Sequence, residues 1–424
     1  MSSVPPPPIA GHRLIGNGAS SALVRPGGEV DWWCAPRLDS PPLLWSLLDS
    51  DGSAARWCDT RFVSAPPSPA GPTAATVLRA PGGRFDCLDG LMATPAGVQA
   101  LVRLVRAVDD DFDLVHELGL GGFDQSRAAW NGRVGTLGGH EAYLLGGELA
   151  GVDEDTGTIL ARVTVRRDRW SALVVSLDGT TPDDGEELKA LLAESQADHD
   201  RVVDGARLPH HHPERVRDAI SVLRCCTFAE TGAVVAAVTT SLPEAPGHDR
   251  QFDYRFTWLR DASLAASVAA LLGQLEVARQ YLAFAERQVE DGAELASLRT
   301  VDGGPVPAER DVPGVAGWAG STPVRVGNGA AGQTQLDAWG LVVEAVSVYL
   351  QNGGVLEEAT WRLVCRLADD AADFMPGTAT HGIWELRQPL DLVSADVGRW
   401  LTLDRAIWIS RGWRPLARRG RWKR

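Results

Sequence analysis

The hydrophobic period of this chain changes once, near residue 205, and the two halves on either side of the change call for different architectures. In the first half apolar and polar residues alternate, as in GTILARVTVRRDRWSALVVSL (157–177), where two alternating runs flank a polar RRDR. A period of two puts apolar side chains on one face of a strand, and the polar break predicts a hairpin. Gly- and Pro-rich breaks at 65–72, 81–83 and 134–139 separate other short strands. Residues 1–205 are therefore expected to form an antiparallel β-sandwich. Its closing segment, GEELKALLAESQADHDRVVDG (185–205), reads as a charged linker helix that leads into HHHPERV (210–216).

From about residue 213 the period becomes 3.6. Six segments carry it: PERVRDAISVLRCC, DASLAASVAALLG, LEVARQYLAFAERQVE, GQTQLDAWGLVVEAVSVYLQNGG, EEATWRLVCRLADDAADF and GRWLTLDRAIWIS. Long Gly- and Trp-rich loops join them, which favours an α/α architecture over a compact bundle with short connections. Loops of that length are where function tends to sit.

Composition removes several classes of function. With 424 residues and 44% hydrophobic side chains, two packed units are expected. A net charge of −14 without a basic stripe would repel a phosphate backbone, so nucleic acid is not an expected partner. No apolar run reaches the ~18 residues that span a bilayer, and MSSVPPPPIAGHRL lacks the layout of a secretory signal, so the chain reads as cytoplasmic and not membrane-bound. The six cysteines are scattered with no CxxC pair, so neither a zinc site nor a disulfide framework is indicated. The run His210–His212 sits on a Pro-terminated linker, and GVDEDTG (151–157) lacks the remaining ligands of a calcium loop. No metal and no cofactor are expected.

Three segments carry candidate chemistry. FDYRFTWLRDAS (252–263) places two carboxylates, two arginines and four aromatic rings immediately before an apolar helical run. Asp261 there suits a helix N-terminus, but a cap does not account for its neighbours. Arg260 offers a planar fork of donors, Trp258 and Tyr254 offer flat faces, and Asp253 and Asp261 offer acceptors; such groups grip a sugar by its hydroxyls and apolar faces. In THGIWELRQ (380–388), Glu385 follows Trp384 directly. A carboxyl against an aromatic wall loses hydration, which disfavours its charged form and suits it to donating a proton; the plainer alternative is a salt bridge to Arg387. The third segment, GWAGSTPVRVGNGAAGQTQLD (317–337), follows no buried parallel strand and runs into a helix bearing Gln333 and Gln335, so it reads as a pocket-lining loop and not a phosphate cradle. No GxSxG elbow or HExxH pair is present.

Taken together, these blocks resemble glycoside hydrolase family 15, the glucoamylase and bacterial trehalase group. GNGASSALVRPGGEVDWWCAPRLDSPPLLWSLLD, within residues 11–49, is similar to the trehalase-like N-terminal domain of bacterial members. TGAVVAAVTTSLPEAPGHDRQFDYRFTWLRDAS (231–263), PVRVGNGAAGQTQLDAWG (323–340), GIWELR (382–387) and LTLDRAI (401–407) follow in the family's order. The resemblance implies an (α/α)6 barrel of six-hairpin glycosidase type over residues 206–424, and inverting hydrolysis of an α-glucosidic bond in trehalose, malto-oligosaccharides or α-glucans. It implies Glu385 as general acid, Arg260 and Asp261 as the clamp on the glucosyl hydroxyls, and Tyr254, Trp258 and Trp384 as aromatic walls of the substrate site.

An inverting mechanism also needs a second carboxylate, ~6.5–9.5 Å from the acid, to activate water. The resemblance puts that base far downstream of GIWELR, so it is expected to be absent from this chain and the barrel to be incomplete. The last fourteen residues, RGWRPLARRGRWKR, carry seven basic side chains and no acid, and read as an aberrant tail following a shifted frame or early stop after residue 410. The expected consequences are impaired turnover and an exposed apolar face open to homo-oligomerisation or aggregation. Two other functions fit the same residues: an α-glucoside phosphorylase, in which phosphate replaces water, and a non-catalytic carbohydrate-binding module.

Overall fold

The computed structural model describes residues 8–66, 70–93, 97, 99–290, 296–417 and 420–423. The N-terminal MSSVPPP, part of the 65–72 break and part of the basic 411–424 segment lie outside the described residues.

The alternating half builds two facing sheets. The first runs in the order Glu148–Asp153, Thr158–Val165, Phe112–Gly119, Ala55–Trp57, Val30–Cys34, Ser21–Val24, Arg13–Gly16 and Ala70–Gly71, with Pro42–Leu44 attached to Val30–Cys34. The second runs Ala129–Asn131, Val134–Leu137, His140–Leu145, Ser171–Ser176, Gln99–Ala107, Gly83–Ala93, Thr73–Ala80 and Arg61–Ser64. Ladders are antiparallel except where Arg13–Gly16 meets Ala70–Gly71. Alternation appears as burial, with every second residue of Thr73–Ala80 and of Thr158–Val165 inside. Trp33, Leu78, Phe85, Leu101, Leu114 and Ile159 meet between the sheets, as a sandwich requires.

The hairpin expected at 157–177 does not form. Thr158–Val165 pairs within the first sheet and Ser171–Ser176 within the second, so the polar RRDR carries the chain across the sandwich as an arch. Alternation shows which face of a strand is apolar but not which sheet it joins; both strands turn their apolar faces to one core from opposite sides.

Arg103 ties the sheets together. Its side chain is wholly buried; Nε donates to Asp89 Oδ1 at 2.7 Å within its own sheet, and Nη1 donates to Ala55 O at 2.9 Å across the sandwich. Nη1 also donates to Nε2 of buried His116 at 3.0 Å.

Helix α1 (Gly185–Asp204) is the expected linker helix. Asp184 caps it by accepting from the amides of Glu186 and Glu187 at 3.0 and 2.9 Å. Leu188 and Leu192 cover the outer face of the second sheet, so the helix is packed on the sandwich and not free between units.

All six segments with a 3.6 period are helical: α2 (Pro213–Cys225), α3 (Leu259–Leu271), α4 (Leu275–Glu290), α5 (Leu336–Gln351), α6 (Glu358–Asp373) and α7 (Val393–Trp413). The helix predicted through Gln333 and Gln335 begins only at Leu336. A 3-10 turn over Gly329–Gly332 intervenes, closed by the Asn328 side chain on the Ala330 amide at 2.9 Å. α3, α5 and α7 lie side by side, with α4 and α6 behind them. α5 is buried nearly all round, and α3 meets its neighbours through Ala262, Ala266, Ala269 and Ala270. α5 and α7 approach closely at Gly340, where a Cβ would lie 2.7 Å from the carbonyl of Gly398.

The outer face of the first sheet packs on this helical layer in a single core that includes Leu23, Trp32, Val342 and Val346. Trp32 donates its indole N–H to Val238 O at 2.8 Å, and Ser21 Oγ donates to Cys225 O at 2.7 Å. Two apolar stripes remain exposed: Leu264, Val268 and Leu271 on α3, and Val393, Val397 and Trp400 on α7. The described part of the basic segment folds back on α6, where Trp422 packs against Trp361 and donates to Asp369 Oδ1 at 2.8 Å. Among the described residues no helix is long and apolar enough to cross a membrane.

Candidate active site

The N-terminal ends of α3, α5 and α7 meet at one end of the helical layer. Each is preceded by a loop: 252–258 ahead of α3, 323–335 ahead of α5 and 380–392 ahead of α7. Free amides at such ends favour carboxylates and hydroxyl oxygens.

Trp258 is the N-cap of α3 and is almost fully buried. Its indole N–H donates to Glu385 Oε1 at 2.6 Å. Arg260 Nη2 donates to the same oxygen at 3.1 Å, and Nη1 donates to Ile383 O at 3.0 Å. Arg260 also lies 3.5 Å from Asp261, which sits in the first helical turn. The Tyr254 ring is tilted against Trp258 at 5.8 Å. Arg260, Asp261, Trp258, Tyr254 and Glu385 thus converge, although 127 positions separate Trp258 from Glu385.

Burial pushes the Asp261 carboxyl above its ordinary value, with the Arg260 charge opposing the shift. Burial, followed by the nearby Glu385 carboxylate, pushes the Tyr254 phenol up as well.

Glu385 adopts a left-handed backbone with φ 52°, rare for a side chain other than glycine. It closes a turn in which its amide donates to Gly382 O at 3.0 Å. Gln333 supports that turn from the neighbouring loop, donating to Glu385 O and Leu386 O, both at 3.3 Å. Strain of this kind persists where surrounding contacts hold it, and it collects at functional sites.

Three expectations from sequence change. Trp384 is 74% exposed, and the indole against Glu385 is that of Trp258. Adjacent residues in a turn point apart, so the wall comes from another loop. Arg387 pairs with Glu309 at 3.1 Å and leaves Glu385 to Arg260. Asp253, expected to face a sugar, is fully buried: its Oδ2 accepts from Arg255 Nη2 at 2.7 Å and from the Gly327 amide at 3.1 Å. Arg255 Nη1 donates to Ser40 O at 2.7 Å, so this ion pair bolts the site loop to the β-sandwich.

The end of the 317–337 segment does line a cavity, of about 160 Å³, bounded by Ala296, Ala331, Gly332, Gln333, Thr334, Gln335 and Trp339. In the sequence Gln333 reads only as a polar helix residue; the Gly- and Ala-rich run before it is the signal that the chain there is a loop.

Residues 215–412 match the model of Glycosyl hydrolases family 15. Trehalase 1 of Sulfolobus acidocaldarius is 31% identical over 408 residues, covering 92% of this chain and 69% of that protein. The chain belongs to glycosyl hydrolase family 15. Another similar protein, the trehalase of Mycobacterium tuberculosis, is 27% identical over 95% of this chain and 65% of its own length. A bacterial glucoamylase solved in complex with acarbose shares the fold of this family 15 chain, with a TM-score of 0.62, 11% identity, and coverage of 97% of this chain and 64% of that one. This family 15 chain spans about two thirds of the length of these relatives.

Proposed function

We propose that this chain is an inverting α-glucosidase-type hydrolase whose general acid is Glu385. Substrates of the trehalose or malto-oligosaccharide class fit the names of its relatives. The layered α3, α5 and α7 arc with α4 and α6 behind it is read as part of an (α/α)6 barrel, and residues 1–205 as its N-terminal β-domain.

The observation that carries the reading is the meeting of Trp258, Arg260 and Glu385 at one carboxylate oxygen. Arg260 and Asp261 grip hydroxyls of the glucosyl unit and Tyr254 packs on its apolar face, while the buried Trp258 holds Glu385 from behind. Glu385 then gives its proton to the glycosidic oxygen as the C1–O bond breaks. Water adds to C1 from the opposite face, releasing its proton to solvent, and the product anomer is inverted. The reading assigns no water-activating group among the described residues.

The test is glucose release from trehalose, maltose and longer malto-oligosaccharides by the wild-type chain and by Glu385→Gln, with the product anomer followed by NMR. Loss of about 10²–10⁴-fold in the variant, with β-glucose as first product, is expected. Turnover indifferent to Glu385 would sink the acid assignment. Sugar binding without turnover would mark a binding module, and phosphate-dependent release of glucose-1-phosphate a phosphorylase.

A further inference from the structure

We propose that Asp337, in the first turn of α5, is the positioning residue that sets Glu385 for proton donation; this rests on the reading of Glu385 as the acid. Asp337 is 7% exposed, and its Oδ2 accepts from the Ile383 amide at 2.8 Å and from Ser394 Oγ at 3.1 Å. Ile383 lies two residues before Glu385, and its carbonyl takes the Arg260 donor at 3.0 Å. Residue 383 is therefore gripped through its N–H from α5 and through its C=O from α3. Ser394 adds α7, so one carboxylate oxygen joins the N-terminal ends of two of the three helices around the site, and the residue it holds is pinned to the third.

The gripped peptide needs such a tether. It runs between two left-handed residues, Gly382 at φ 61° and Glu385 at φ 52°. An L-residue leaves that region unless its neighbours hold it. Packing alone does not account for Asp337, because its Oδ1 is buried with no hydrogen-bond partner among the described residues, a cost that an apolar side chain would avoid. α7 lies close against this turn of α5: a Cβ on Gly398 would strike the Asp337 Cα.

The test compares Asp337→Ala with Asp337→Asn in the full chain, the asparagine retaining one oxygen acceptor. The first readout is the Trp258 indole N–H resonance in isotope-labelled protein, assigned by its loss in Trp258→Phe, which reports the hydrogen bond to Glu385 without turnover. In Asp337→Ala that resonance should move upfield towards free indole. The kcat for glucose release should fall about 10²-fold, as for a catalytic group misplaced by an ångström, while KM changes little. Asp337→Asn should keep the resonance and recover most of the lost kcat. A folded alanine variant with resonance and kcat unchanged overturns the proposal. If the alanine variant does not fold, loss of the resonance in folded Asp337→Asn overturns it and its retention supports it. A wild-type chain without Glu385-dependent turnover would sink the hydrolase reading instead, and the resonance would still decide the role of Asp337.

Discussion

Trp258 holds Glu385 from 127 positions away, its indole N–H 2.6 Å from Oε1, while Trp384, the neighbour in sequence, points into solvent. Because Arg260 donates to the same oxygen, Trp258 supplies one of two donors that set the acid's orientation. A hydrogen bond to a charged group is worth about 1.5–3 kcal/mol, which corresponds to roughly 10–10²-fold in rate. Trp258→Phe keeps the ring face and removes the donor, so kcat for glucose release should fall by that factor. An unchanged kcat in a folded variant would show that Arg260 suffices.

The reach of the sequence follows from the range of each physical rule. All six helices of the second half were legible because a 3.6 period is local, and only their ends moved: α3 starts at Leu259 and α7 at Val393. The sandwich was legible as alternation, but the 157–177 arch was not, since sheet partnership depends on strands far away. At the site, Arg260 and Asp261 stood out as charge beside aromatic rings at the start of a helix, and Glu385 as a carboxylate next to Trp384. Asp253 looked the same in sequence as Asp261, yet the Arg255 pair buries it. Asp337 sits inside an apolar helix pattern, and nothing local signals that its partner is Ile383.

Arg255 tests how firmly the site loop is bolted to the sandwich. Its guanidinium pairs bidentately with Asp253 and reaches Ser40 O, and both members of the pair are buried. Breaking a buried pair strands the remaining charge and costs about 3–5 kcal/mol. Arg255→Met should lower stability by that order in urea unfolding. A loss below about 1 kcal/mol would mean that Asp253 is solvated in the variant.

Gly398 should tolerate no side chain. Its Cα faces the start of α5, so a methyl there would push α5 and α7 apart where Asp337 and Ser394 meet. Overpacking of this kind costs about 1–3 kcal/mol. Gly398→Ala is expected to lower the thermal midpoint and, by shifting Ser394, to weaken the hold on residue 383. Wild-type thermal stability in this variant would mean that the two helices can slide apart freely.

His116 gives the sandwich a defined response to acid. Burial, and then the charge of Arg103 at 3.0 Å, hold its pKa well below the ordinary 6.5, so it stays neutral in the folded chain. The unfolded chain takes up this proton as pH falls below about 6.5, whereas the folded chain does not, and the unfolded state gains. The stability that His116 contributes is therefore complete above about pH 6.5 and declines below it, by up to about 1.4 kcal/mol per pH unit. His12 acts in the opposite sense: burial lowers its pKa but the Asp31 hydrogen bond and charge outweigh that and raise it, so its contribution is complete below about 6.5 and is lost as pH rises through the raised value. The His116 effect is isolated by the difference between wild type and His116→Gln in urea unfolding. That difference should shrink by about 1 kcal/mol between pH 7.5 and pH 5.5. An equal difference at both pH values would mean that His116 accepts a proton in the folded chain despite Arg103.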